Sequence, residues 1–580
     1  MKPRLALLLL FLVSAAILVL AQGNVSPGGG IPSTDPSIAE FPIRWLQLAV
    51  EEGRVTSRQL VERYLFEISA RESFLNAVIT ENPDALAEAE ALDRERAEGH
   101  VRGPLHGIPI AVKDNIHTTN MPTTGGALAF KGFVPPYEAT LVKNLRDAGA
   151  IIIAKTTMTE LANWVAGDPT PMPGGYSALG GFSMNPYDPR PDPRPGSNDG
   201  RPALSPSGSS SGVGTAANFW AANVGTETSG SILSPSNSNM LVGIKPTVGR
   251  ISRYGVIPIT ADQDTPGPMA KFVADAAILL GAMEGASPDP NDPATGRCAP
   301  PPGRDYTRFL KPDGLKGARI GIPRAYYYDA VRLRGVPGPL GGLNADQTRV
   351  MEEAITILKQ QGAVIVDPAN IPSVLDPDLD DNLLVWGTCS GVDDAKGQDQ
   401  RQDEDCSTVL KYGMKRDFNQ WLATLGPSAP VKSLTELREF NLAHAADGAI
   451  QYGQSNLDIS DEMGVRADRA RYEADRAKDI ALTATNGIDA ALEKHQLDAL
   501  LFPANRGSNL AARPGYPTVI VPFGTVPNAP SRPFPDGFNA QPAPFGVSFT
   551  GTACSEPRLI ELAYAFEQAT KRRVPPPSVP

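Results

Sequence analysis

The spacing of apolar positions divides the chain into an N-terminal apolar run, a long alternating region and a charged segment towards the C-terminal end. Residues 5–20 are almost wholly apolar and follow Lys2 and Arg4. From residue 38 the pattern turns helical, with Leu60, Val61, Tyr64, Leu65 and Ile68 at amphipathic spacing behind a possible capping box, Thr56 and Gln59. Asn82-Pro83 opens an Ala-rich helix carrying Leu86, Ala89 and Leu92 along one face. Residues 108–112 form a short apolar run bounded by Gly and Pro, which predicts a buried strand ending at Lys113. Residues 138–160 read as helix then strand, and residues 345–367 repeat that order. Further short apolar runs at 318–323, 497–503 and 518–523 end at Pro or Gly. This alternation predicts an α/β fold with a central mixed sheet covered on both faces by helices.

Two kinds of segment interrupt the alternation. Residues 372–500 are rich in charged residues with long helical patterns, and predict a helical insertion packed on the sheet and walling a substrate site. A solvated helical cap is the other reading. Residues 169–206, 286–305 and 526–544 are dense in Pro and Gly and are expected as surface excursions. No internal repeat is present. The expected organisation is therefore a signal segment at 1–21, a Gly/Pro/Ser-rich linker at 22–37, and one domain over 38–575 with the insertion at about 372–500.

Composition narrows the function classes. The chain has 580 residues, 41% of them hydrophobic, and a formal net charge of −11. No run of Lys and Arg marks a nucleic-acid footprint. Lys2 and Arg4, the apolar run, and small residues Val19 and Ala21 form a secretory signal cleaved after Ala21. The run falls short of the roughly 20 residues that span a bilayer, so a retained anchor is the lesser reading. A secreted or periplasmic protein without stable membrane association is expected. Four cysteines, Cys298, Cys389, Cys406 and Cys554, fit export and allow three pairings, among which Cys389–Cys406 closes the shortest loop. The five histidines are scattered and no CxxC is present, so neither a metal nor a cofactor is expected. Asn24-Val25-Ser26 is a glycosylation sequon.

The candidate chemistry lies between Ser207 and Ser231, in two Gly/Ser loops around a small-residue segment. Such side chains bury little apolar area. They supply hydroxyls and accessible backbone N–H groups, which oxyanion stabilisation requires. A serine hydroxyl needs a base, and a lysine serves when burial keeps it neutral. Lys113, at a strand end beside Asp114 and Asn115, is the candidate.

At this point the residues resemble the amidase signature family, in the manner of its secreted peptide-amidase type. The resemblance rests on GIPIAVKDNI, GSSSG, VGTETSGSI and the long stretch MLVGIKPTVGRISRYGVIPITADQDTPGPMAKFVADA. GYPTVIVPFG and PFGVSFTGTACSEPRLIELAYAFEQAT extend it to about residue 570. It implies an amide hydrolase using a Ser–cis-Ser–Lys triad through an acyl-enzyme. Carried over by motif, Ser231 matches the nucleophile, Lys113 the base and Ser209 the bridging serine. The backbone N–H groups of Thr228, Ser229, Gly230 and Ser231 match the oxyanion hole. Ser209 precedes Ser231 by 22 positions, two fewer than in the family, whose spacing falls on Ser207. The GSSSG match selects Ser209 and leaves Ser207 as a rival.

Other readings remain beside this one. GSSSG also fits the G-x-S-x-G elbow of an α/β-hydrolase esterase, with Ser210 as nucleophile and His444 or His495 as base, although the preceding residues are Pro-broken. A non-catalytic secreted binding protein on an amidase scaffold is a second, opposed by the joint presence of Lys113, Ser209 and Ser231. The tRNA amidotransferase subunit of the same family is disfavoured by the signal segment and the absence of a basic patch. His106 reads as a structural turn residue and Tyr326–Tyr328 as a half-buried loop, while Trp164 and Tyr176 could border the site mouth. Peptide, aryl, fatty and small aliphatic amides are all admissible substrates, and oligomeric state is open.

Overall fold

The computed structural model describes residues 40–207, 212–391 and 406–577. The signal segment, the linker, the sequon, and Ser209 and Ser210 lie outside the described residues. An 11-stranded sheet runs through the molecule. In chain order its strands are β1 Val78–Glu81, β2 Pro109–Lys113, β3 Ile151–Thr156, β4 Ala222–Glu227, β5 Val242–Lys245, β6 Thr265–Ala270, β7 Arg319–Gly321, β8 Val364–Val366, β9 Ala499–Pro503, β10 Thr518–Val526 and β11 Ala543–Thr550. Their spatial order is β1-β3-β2-β4-β6-β5-β10-β11-β9-β7-β8.

The sheet is mixed. β2 runs parallel to both β3 and β4, whereas β6, β5, β10 and β11 pair antiparallel. Every residue of β2, β3, β4, β5, β6 and β9 is buried. Successive strand residues point to opposite faces, so complete burial means both faces are covered. Exposed positions fall on the edge strands β1 and β8 and at Thr525 near the end of β10.

Helices supply that cover, and local sequence explains several of them. α1 Ile43–Glu51 precedes α2 Ser57–Leu75, which begins at a reciprocal capping box: Gln59 N–H donates to Thr56 Oγ1 at 3.1 Å and Thr56 N–H to Gln59 Oε1 at 2.9 Å. α3 Ala85–Ala97 and α4 Thr140–Asp147 follow, then α5 Leu233–Ser238, α6 Val273–Met283 and α7 Ala345–Gln360. α7 starts at a second capping box, Asn344 with Gln347. The charged segment holds α8 Val409–Thr424, α9 Leu434–Ala443, α10 Ser455–Asp461 and α11 Arg469–Ile480; α12 Ser508–Ala512 and α13 Glu556–Thr570 complete the chain.

The helices of the charged segment carry their own apolar core. Phe418, Trp421, Leu437 and Leu457 pack with Phe130, Leu161 and Trp164 from loops beside β2 and β3. A buried side chain of that size contributes about 1.5–3 kcal/mol. Polar ties reinforce the join: Trp164 Nε1–H donates to Ser460 Oγ at 3.0 Å, and Tyr176 Oη–H to Gln451 Oε1 at 2.7 Å. Trp164 and Tyr176 thus hold these helices against the sheet.

Two of the three excursions are not independent. Arg190 lies 4.2 Å from the Phe538 ring and Arg194 5.0 Å from Phe534. Arg532 donates to the Pro195 carbonyl at 2.6 Å and Asn528 to that of Ala203 at 3.1 Å. Polar sequence concealed this clasp, because guanidinium–ring and backbone contacts leave no apolar pattern. The disulfides are Cys298–Cys554, tying the third excursion to the entry of α13, and Cys389–Cys406. His106 is buried as a turn residue, its Nδ1 accepting from Arg102 N–H at 3.2 Å. Tyr327 and Tyr328, expected half-buried, are core: Tyr327 packs on Phe502 and Tyr328 donates to the Leu501 carbonyl at 2.9 Å.

Candidate active site

Lys113 is the last residue of β2, where apolar neighbours on both sides force its side chain into the interior. Its exposure is 0%. The ammonium donates to Thr226 Oγ1 at 2.9 Å and to the Thr226 carbonyl at 3.2 Å. Asn115 Nδ2 donates to the same hydroxyl at 3.0 Å. Burial pulls the Lys113 pKa down from 10.5 to about 7, against the opposing pull of the Asp264 and Glu227 carboxylates. A buried amine loses hydration that only its charged form needs, so the neutral form gains.

β4 lies beside β2 in parallel, with Ile110 opposite Ala222 and Val112 opposite Val224. Their carboxyl ends therefore open on the same crevice, the usual ligand position in sheets of this kind. Beyond Glu227 the chain turns through 228–231 into α5. The Glu227 carboxylate folds over that turn and accepts from Ile232 N–H at 2.8 Å and Leu233 N–H at 3.0 Å. The three preceding amides, Ser229, Gly230 and Ser231, form no hydrogen bond with any described residue. Gly230 has φ +87°, and a Cβ there would lie 3.2 Å from Ser508 Oγ, so glycine keeps the turn open. Ser231 is half-buried and Ser229 exposed.

A second layer holds this turn. Thr228 Oγ1–H donates to Asp264 Oδ1 at 2.5 Å, and Gln263 Nε2 donates to the Thr228 carbonyl at 3.2 Å. Asp264 Oδ2 accepts from Ile259 and Thr260 N–H at 2.8 and 3.0 Å. Burial raises the Asp264 pKa to about 7, although the Thr228 hydroxyl and the Ile259 amide stabilise its charged form. One strand over, the buried Lys155 ammonium stands 3.4 Å from Asp114 Oδ1.

The structure thus brings Lys113 and the loop 228–231 to one crevice, joined through Thr226. Ser207 stands at φ 72°, its hydroxyl hydrogen-bonded to that of Ser234 on the first turn of α5. His444 stacks on Phe440, its Nδ1 2.8 Å from the Phe440 carbonyl oxygen, and the His495 carbonyl accepts from Arg319. Sequence reasoning passed over Thr226, Glu227, Gln263 and Asp264. Their signal was a cluster of polar residues at the ends of otherwise apolar strands, in GTETSGS and TADQDTPGP.

Comparison with known proteins identifies the family. The Amidase family model matches residues 59–560. A probable amidase of Arabidopsis thaliana is 34% identical over 571 residues, covering 97% of this chain and 96% of that protein. The native peptide amidase of Stenotrophomonas maltophilia is 39% identical with a TM-score of 0.75, covering 94% of this chain and 99% of that one. A structure of the peptide amidase with the competitive inhibitor chymostatin is 38% identical, also at TM-score 0.75, over 93% and 99%. With a sheet and helices of the amidase-signature α/β type and a family match across most of its length, the chain belongs to the amidase family and is an amide-hydrolysing enzyme.

Proposed function

We propose that the enzyme cleaves carboxamide C–N bonds through a Ser231 acyl-enzyme, with Lys113 as base and Ser209 as the bridging serine between them. The observation that carries this reading is a fully buried Lys113, neutral above about pH 7, in the same crevice as the open amides of Ser229, Gly230 and Ser231. Neutral Lys113 accepts a proton from the Ser209 hydroxyl, which takes the Ser231 proton. Ser231 Oγ bonds to the carbonyl carbon, and the carbonyl oxygen gains the negative charge. The three amides donate to that oxygen, with Thr228 completing the turn; removing one such donor costs about 3–4 kcal/mol in other hydrolases. The C–N bond then breaks, the relay returns its proton to the leaving nitrogen, and water releases the acid by the same steps reversed.

For substrate, the likeness to a peptide amidase over nearly the whole chain supports a peptide carboxamide. The N-terminal signal pattern and the two disulfides support action outside the cytoplasm. A panel of peptide, aryl and aliphatic amides, followed by ammonia or amine release with Ser231→Ala as the blank, tests the reading. Release from peptide amides that vanishes in Ser231→Ala and Lys113→Ala supports it, and undiminished release in either variant contradicts it. Parallel Ser209→Ala and Ser207→Ala assays assign the bridge to the more damaging site.

A further inference from the structure

The charged helices enclose a cleft of about 670 Å³ whose composition departs from the rest of the molecule. The chain carries 64 acidic and 53 basic residues. Yet this cleft is lined by Arg416, Arg466, Arg469 and Arg476 against a single acid, Glu473, with Tyr412, Val465 and Tyr472 beside them. The two tyrosine rings stack at 4.2 Å and 9°, and the Arg416 guanidinium lies 5.0 Å from the Tyr472 centroid. Arg416 is committed to Asp262 and Asp417 at 3.1 and 2.6 Å, and Arg476 stands 3.6 Å from Asp262. The outer pair is differently placed. Arg469 meets only the exposed Glu473, a solvent-screened pairing that is easily exchanged. Arg466 is exposed and makes no ion pair with a described residue.

The cleft adjoins the candidate active site through three consecutive residues. Asp262 is held by Arg416, Arg476 and the Tyr472 hydroxyl on the cleft side. Gln263 and Asp264 hold Thr228 on the other side. Asp262 to Asp264 spans at most about 7 Å and Thr228 to Ser231 about 11 Å, and the side-chain hydrogen bond joining Asp264 to Thr228 adds several more, so an extended peptide of about six to eight residues reaches from one to the other.

From this placement we infer that the cleft is a subsite for the acyl side of the substrate, taking a peptide amide with acidic side chains within about six to eight residues of the carboxamide. The inference rests on the proposed function. Guanidinium groups pair bidentately with carboxylates, and the exposed Val465 beside the half-buried Tyr472 offers the peptide apolar surface. A cleft with an excess of one sign of charge, here four arginines against Glu473, also concentrates a substrate of the opposite sign.

The test compares kcat/KM for two octapeptide amides that differ only in bearing Glu or Lys at the positions before a shared C-terminal residue. The wild-type enzyme should prefer the Glu peptide by about fivefold to tenfold at low salt, and the preference should shrink as salt screens it. In the double variant Arg466→Glu/Arg469→Glu, both positions being exposed, the ratio should fall to one or below while the melting temperature holds. A wild-type ratio of one or less, or a ratio unmoved by the double variant, overturns the inference alone. Failure to cleave either peptide overturns the peptide-amide reading and this inference with it.

Discussion

The crevice at the ends of β2 and β4 and the arginine-lined cleft share the wall Asp262–Asp264 but are made of opposite materials. In the crevice the charged groups are few and wholly buried, and burial moves both Lys113 and Asp264 to about 7. In the cleft the arginines are half-buried or exposed and stay charged. A buried ionisable group holds its protonation state at a cost in stability, whereas an exposed charge adds at most about 1 kcal/mol and responds to salt. The crevice is thus suited to moving protons, the cleft to choosing among substrates.

Substitution separates the two most sharply. Ser231→Ala and Lys113→Ala should each lower kcat by at least about 10³-fold with KM little changed, as measured by steady-state amide hydrolysis. Lys113→Met should be equally inactive and yet melt about 1–3 °C higher at neutral pH. The sign follows from linkage: between about 7 and 10.5 the unfolded lysine binds a proton that the folded one does not, so stability rises with pH across that window. The advantage of Met is largest at or below pH 7 and fades towards 10.5. A melting temperature that falls in Lys113→Met breaks the claim that burial strains this lysine.

Loosening the shared wall comes next. Thr228→Val removes the hydroxyl that Asp264 holds, and should cost about tenfold to a hundredfold in kcat while leaving the Glu-to-Lys peptide ratio intact. A change confined to that ratio would mean that the wall serves only the cleft. On the helical side, Cys389→Ser/Cys406→Ser should lower stability by about 3 kcal/mol in denaturant unfolding. It should lower kcat by no more than a few-fold, because this disulfide braces the cleft side. Asp475 and Asp479 of α11 accept from Thr408 and Ser407 beside it.

Much of the crevice was legible in the chain. Lys113 closes a run of apolar residues with the length of a buried strand, and 228–231 stand among residues too small to be core. Both signals are local. Thr226, Gln263 and Asp264 were not legible as site residues, because their roles come from β4 and β6 pairing side by side, Glu227 opposite Thr265. The helical character of the charged segment was readable from its periodicity. Its cleft was not, since Arg466, three residues before α11, and Arg469 and Arg476, seven apart on it, also read as a solvated face. The clasp between the 169–206 and 526–544 excursions was hidden for the same reason: contacts between polar loops have no period.

The claim that Lys113 is the base is tested most directly by the pH dependence of kcat/KM in the wild type and in Asp264→Asn, because both groups sit near 7. If Lys113 is the base, activity climbs with pH through about 7, and the climb persists in Asp264→Asn. There it moves to lower pH, because the lost carboxylate was holding the lysine pKa up. A profile flat from about pH 5 to 9 in the wild type, or a climb that disappears in Asp264→Asn, would contradict it.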